Sequence, residues 1–296
     1  MSSTDKTIAL DGIAYCPEAA SAQTSAQIAT ASSHGNCGAC VFKTHCLPAE
    51  LDGEPLRRFE HQIWRGSRPV KAGHILIRQG DPIDSLFALR VGSLKAYVDE
   101  ADGTERVLTF RFPGAIIGLA EPYQRQWSRS FAALEDSWLC RIPLSTINDT
   151  LRCQLIRLMS DCLRREYEAH LTLALNSGTR KVVSFLLELS GVFAALGQSP
   201  IHLRLPMNYL DVASYLGMRH ESISRTLAQL QKQGLVRKHG KDIHIDDLEG
   251  LQRIKGENGT ARPPTFEMLS RASSRFGRSE SLSDASHMPR TGTPPR

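Results

Sequence analysis

The stretch from Asn208 to Gly234 constrains the fold most: two short helical patterns meet at a single glycine, and an alternating hairpin follows at once. In NYLDVASYLGMRHESISRTLAQLQKQG, Leu210, Val212, Ala213 and Leu216 supply a buried face to the first helix. Gly217 fits the tight turn between the helices. Ile223, Leu227 and Leu230 recur at helical spacing and define the inward face of the second helix. His220, Glu221, Ser224 and Arg225 then face outward, with Gln229 and Lys232 further along. LVRKHGKDIHID alternates around His239-Gly240 as a hairpin does. Helix, glycine turn, helix and hairpin in this order predict a winged helix-turn-helix.

Charge sharpens that expectation. Arg219, Arg225, Lys232, Arg237, Lys238 and Lys241 stand against Glu221 alone, so this segment carries as much net positive charge as the whole 296-residue chain, +5. A local basic excess favours a polyanion, because phosphate contacts release condensed counterions. The outward side chains suit base edges: arginine bonds guanine bidentately, glutamate accepts from a cytosine amino group, and serine contacts thymine. Arg237, Lys238 and Lys241 fall on the hairpin, placed for backbone phosphate.

Upstream, Val70 to Pro143 reads as short strands and turns, with apolar runs separated by Gly73, Gly80, Gly92, Asp102-Gly103 and Gly114. A small barrel or sandwich is expected. The period then becomes helical through Ile147, Leu151, Leu155, Leu158, Met159, Cys162 and Leu163, and the run continues to Leu173. A helix of about 30 residues needs a partner along its apolar stripe, and a homodimer supplies one. The domains expected are a flexible arm over 1–33, a loop over 34–50, a β-barrel over 51–143, a long helix over 144–176, the winged module over 177–255 and a disordered tail over 256–296. No run is long and apolar enough for a membrane span, and Met1–Ala14 lacks the pattern of a secretory signal. A cytoplasmic location with reduced thiols is expected, so the seven cysteines do not read as a disulfide framework.

Three cysteines crowd into ten residues, Cys37-x2-Cys40-x5-Cys46, before Leu47-Pro48. Three thiolates there could converge on one centre, leaving one ligand to be found among Cys140, Cys153, Cys162, Cys16, His34 and His45. Four thiolates suit zinc or an iron–sulfur cluster, and the spacing leaves both open beside redox thiols without metal. Cys16 reads as a bystander, and Cys153 and Cys162 as helix packing residues. No Cys-His-Asp arrangement or substrate motif points to an enzyme.

Taken together, barrel, long helix, winged helix-turn-helix and N-terminal cysteine cluster resemble the CRP/FNR transcription regulators, in particular the FNR (fumarate and nitrate reduction) branch, over residues 34–250. CGACVFKTHCLP resembles that branch's cluster loop, SWLCRIP places Cys140 at its fourth ligand, and HESISR resembles its recognition motif. The resemblance implies an α+β chain: an N-terminal cyclic-nucleotide-binding-like β-barrel, a long dimerisation helix and a C-terminal winged helix-turn-helix. It implies a [4Fe–4S] cluster on Cys37, Cys40, Cys46 and Cys140 and an oxygen-responsive homodimer. That dimer would read palindromic TTGAT-type operators through Glu221, Ser224 and Arg225 and work with RNA polymerase. His220 departs from the branch's pattern, so it marks an unassigned base. Glu166, in LRREYEA, matches an acidic switch residue near the dimer seam. Nucleotide-binding barrels of the same fold carry Phe-Gly-Glu-Leu before Arg-Ser/Thr. Here IIGLAEPYQRQWSRS has Leu119 in place of the glutamate, and Arg125 or Arg129-Ser130 enters register only with a gap. The competing expectation is a ligand- or nucleotide-gated regulator of this fold with structural zinc or redox thiols.

Overall fold

The computed structural model describes residues 36–66, 68–121 and 125–256. The arm over 1–33, with Cys16, and the tail beyond Gly256 lie outside the described residues, as does His34. After the cysteine loop, helix α1 spans Gly53–Gln62 and buries Phe59. The region expected as barrel from residue 51 thus begins with a helix, and strands start only at Trp64. Dense charge in GEPLRRFEHQ hides its narrow apolar stripe, Leu56 and Phe59, from a search for apolar runs.

The strands are β1 (Trp64–Arg65), β2 (Ile75–Ile77), β3 (Ser85–Val91), β4 (Leu94–Asp99), β5 (Glu105–Arg111), β6 (Ile116–Ile117), β7 (Ser130–Ala133) and β8 (Trp138–Pro143). They form two antiparallel sheets ordered β1-β8-β3-β6 and β2-β7-β4-β5. Leu89, Leu94, Ala96, Ile117, Trp127, Phe131 and Leu139 fill the space between them. The two-residue side-chain period of a strand sends these residues inward while their neighbours face out. The expected hairpin at Asp102-Gly103 is present: Asp99 pairs with Glu105, and Asp102 Oδ1 accepts from the Thr104 amide at 2.9 Å.

Helix α2 runs Asp149–Leu173, 25 residues against the expected stretch over 144–176. Its start is set by Asn148, whose side chain accepts from the Leu151 amide, while Leu144–Thr146 forms a separate 3-10 turn. Ser177 caps α3 (Gly178–Ala195) in the same way. Strand β9 (His202–Arg204) follows, then α4 (Tyr209–Leu216), α5 (His220–Lys232), β10 (Val236–His239), β11 (Asp242–Ile245) and α6 (Leu248–Gly256). Strands β9 to β11 make one sheet ordered β10-β11-β9.

The sandwich and the C-terminal module share one core. Val107 and Phe110 of β5 pack with Phe185 and Tyr215, and the Phe110 and Tyr215 rings meet edge-on at 5.3 Å. Strand β5 is a sheet edge, and Ser214 of α4 covers it: its Oγ accepts from the Val107 amide at 2.9 Å and donates to the Glu105 carbonyl at 3.1 Å. Lys95 of β4 pairs with buried Asp211 of α4 at 3.0 Å. No helix among the described residues is long and apolar enough to cross a membrane.

Candidate cysteine cage and nucleic-acid interface

The loop from Cys37 to Cys46 turns on itself through backbone bonds, with the Cys40 amide on the Cys37 carbonyl, Lys43 on Cys40 and Cys46 on Lys43. Three side chains from two helices anchor it. Glu60 of α1 accepts from the amides of Cys37 and Gly38. Gln154 of α2, buried, donates its amide to the Cys46 carbonyl at 3.2 Å. Arg157 of α2 pairs with Glu50. Leu47 next to the last cysteine is fully buried against Leu151 and Leu158 of α2.

This anchoring brings the three loop cysteines to β8. Cys37, Cys40, Cys46 and Cys140 line one pocket, with Lys43, Phe59, Arg65 and Arg90 on its walls. Cys153 is exposed on α2 and Cys162 half-buried beside the core, and neither lines that cavity. Cys37 and Cys140 are both 6% exposed. Burial pushes the Cys37 thiol up to about 11 and raises those of Cys46 and Cys140. The Arg65 guanidinium works against that shift at Cys37, where its Nη2 lies 3.8 Å from Sγ, and Arg90 and Arg65 do so at Cys140. Among the described residues no three Cys, His, Asp or Glu side chains gather as they would around a single ion. The thiols ring a space instead, and two buried arginines face it. Sequence reasoning missed Arg65, Arg90, Glu60 and Gln154, because an isolated polar residue in an apolar run carries no pattern.

In the C-terminal module, Gly217 adopts the left-handed conformation, φ 61°, which the turn between α4 and α5 demands. Asn208 and Asp211 form a capping box at the start of α4. Ile223, Leu227 and Leu230 are buried as expected, and Thr226 joins them. Leu210, expected on the buried face of α4, is 66% exposed, a correction to the sequence reading. Its place is taken by Tyr215, since the helix turns so that Val212, Tyr215 and Leu216 face the core. Glu221 and Arg225 are exposed, and His220 and Ser224 half-buried, on one side of α5. Neither Glu221 nor Arg225 makes a side-chain hydrogen bond or ion pair among the described residues. On the wing, Arg237 pairs with Asp246, Lys238 lies 4.3 Å over the Tyr209 ring, and Lys241 donates to the Pro206 carbonyl at 3.3 Å.

Glu166, half-buried on α2, pairs with Arg111 of β5 at 2.6 Å. Ile156, Leu163, Tyr167 and Leu171 on the same helix are 57%, 72%, 60% and 46% exposed, a stripe with no apolar cover among the described residues. In the stretch compared with nucleotide-binding barrels, Leu119 is buried in the core beside the cysteine loop. Glu121, also buried, accepts from Ser128 Oγ at 2.6 Å and lies 3.5 Å from Arg129 Nε, so both groups are used within the chain.

These two regions match known domain families, the cyclic nucleotide-binding domain over residues 67–152 and the Crp-like helix-turn-helix domain over 180–254. Similarity extends over whole proteins. The chain is 32% identical to the anaerobic regulatory protein of Haemophilus influenzae, covering 81% of this chain and 96% of that protein. It is 34% identical to the transcriptional activator protein anr of Pseudomonas aeruginosa, covering 75% and 93%. Against the fumarate and nitrate reduction regulatory protein of Yersinia pestis, identity is 32%, covering 75% and 90%. Among solved structures, FixK2 of Bradyrhizobium japonicum shares the fold, with a TM-score of 0.57, 21% identity and coverage of 64% and 95%. A β-sandwich, a connecting helix and a helix-turn-helix define a transcription regulator rather than an enzyme. The chain belongs to the CRP/FNR family.

Proposed function

We propose that this chain is an oxygen-responsive transcription regulator that holds a [4Fe–4S] cluster on Cys37, Cys40, Cys46 and Cys140 and binds palindromic TTGAT-type operators as a homodimer. The observation that carries the reading is the cavity ringed by these four cysteines and faced by the buried cations Arg65 and Arg90. A single zinc ion draws four sulfurs to within ~2.3 Å of one point. A thiol-lined pocket with cationic walls suits an anionic metal–thiolate group, and Cys37-x2-Cys40-x5-Cys46 beside Cys140 supplies the four thiolates of a [4Fe–4S] cluster. The names of the relatives, anaerobic regulatory protein and fumarate and nitrate reduction regulatory protein, support the same reading.

Held by Cys37, Cys40 and Cys46 of the loop and Cys140 of β8, such a cluster would supply oxygen lability to that junction. The chain's own residues carry the consequence. Gln154 ties the Cys46 carbonyl to α2, and Arg157 ties Glu50 to it, so the loop's position is registered directly on the helix that bears the exposed stripe. Covering Ile156, Leu163 and Tyr167 against a second copy would pair two α5 helices for successive half-sites of DNA. Glu166 opposes that association by like charge across the seam, and Arg111 offsets part of its charge. In the dimer, Glu221, Ser224 and Arg225 read base edges, His220 contacts an unassigned base, and the wing approaches phosphate. RNA polymerase is the expected protein partner at the promoter. The test is anaerobic reconstitution with iron and sulfide, followed by operator binding before and after air. A colourless protein that takes up zinc and binds DNA equally in air would overturn the reading.

A further inference from the structure

Arg65 and Arg90 are buried charges with incomplete pairing among the described residues. Both line the cysteine cavity, at 6% and 7% exposure, and the Nε of each has no hydrogen-bond partner among the described residues. Arg65 stands opposite Cys140 in the β1–β8 register and reaches Cys37 Sγ, while the Arg90 side chain makes no hydrogen bond among the described residues. A buried guanidinium without an anion is costly, since charges leave water only when paired. Among the described residues no carboxylate lines the cavity to pair with either arginine.

Resting on the cluster reading above, we infer that Arg65 and Arg90 are positioning residues that compensate the charge of the [4Fe–4S] group. A four-thiolate cluster carries a net charge of about −2 in its oxidised state and one more negative charge when reduced. Two buried guanidiniums match the first value and favour the second, and N–H donation to cysteine sulfur raises the reduction potential in the same sense. The fold thus holds paired cations in place before the anion arrives, so the loaded and empty proteins respond oppositely to their removal.

Four variants test this: Arg65→Gln, Arg90→Gln, Arg65→Lys and Arg90→Lys, each measured empty and after anaerobic reconstitution. In the loaded protein each Gln variant is expected to disfavour the reduced cluster about tenfold, which is 59 mV more negative for a one-electron couple. Each Lys variant, keeping the charge, is expected to stay within about threefold of wild type. In the empty protein the Gln variants are expected to melt no lower than wild type, because an uncompensated charge has been removed. Gln variants with wild-type potential and full iron would overturn the inference while leaving the cluster reading intact. Equal losses in Gln and Lys variants, in empty and loaded protein alike, would overturn it in favour of a packing role. Wild-type protein that assembles no iron would instead fail the proposed function itself, and the inference with it.

Discussion

Replacing Leu163 by Ala separates the dimer account from any account in which α2 merely packs on its own chain. Leu163 is 72% exposed, whereas Leu158, five residues earlier, is 7% exposed and belongs to the core beneath the cysteine loop. Fully burying a leucine is worth about 1.5–3 kcal/mol. The part of Leu163 that a second copy would cover, less the β-carbon that alanine keeps, is therefore worth about 1–1.5 kcal/mol in each protomer. Two copies meet in the dimer, so the loss is about 2–3 kcal/mol, or about 30- to 150-fold in the dimer dissociation constant. The stability of the single chain should change by less than about 0.5 kcal/mol, since an exposed side chain has few neighbours to lose. Leu158→Ala should behave in reverse, losing about 2–5 kcal/mol of folding stability through the cavity it leaves. Sedimentation equilibrium of the anaerobically reconstituted protein measures association, and urea unfolding of the empty protein measures stability. A Leu163→Ala protein that associates as tightly as wild type, beside a normally destabilised Leu158→Ala, would refute the assignment of this stripe to the dimer seam.

Other consequences follow from single residues. Burial pushes the Glu188 carboxyl up to about 7, with Glu168 and Glu166 adding to the shift and Lys255 and Arg111 opposing it. Its folded-state pKa lies above the unfolded value, so stability falls as pH rises from about 4.5 to 7 and levels off above. Glu188→Gln should match wild type near pH 4.5 and gain at most about 3 kcal/mol at pH 8, read by urea unfolding at both values; equal stability at pH 8 would contradict it. Gln154→Leu removes one of the two donors to the Cys46 carbonyl, leaving the Ala49 amide, and should cost about 0.5–1.5 kcal/mol of empty-protein stability in the same assay, against no loss if that bond is idle. Arg225→Ala should relax specificity at one base position by about 1–3 kcal/mol in competition binding, whereas a uniform loss across sequences would make it a phosphate contact.

The C-terminal module was legible in the sequence because each of its parts has a local cause. Gly217 sets the turn, Asn208 and Asp211 cap α4, and Ile223, Leu227 and Leu230 mark the buried face of α5 by period alone. Leu210 misled because a helix shorter than three turns has too few residues to fix its rotation, and the core chose Tyr215 instead. The loop cysteines were visible by spacing, but Cys140 stands 94 positions beyond Cys46, and only a resemblance connected them. What no pattern could give is the set of long-range polar contacts: Gln154 on Cys46, Ser214 on the β5 edge, Lys95 on Asp211, and Arg65 beside Cys37. Each joins residues far apart in the chain, and each is one side chain with no periodic partner. Glu166 shows the same limit, since its charge was readable but its neighbour Arg111, 55 residues away, was not.

The central question is whether the cysteine cage controls DNA binding through oxygen. The direct measurement is one sample of protein reconstituted without oxygen, with iron and acid-labile sulfide counted per chain and operator affinity measured before and after exposure to air. About four iron and four sulfide per chain, a brown absorbance that bleaches in air, and affinity that falls together with it are the predicted result, all lost in Cys140→Ser. Operator binding that survives bleaching unchanged would contradict the account.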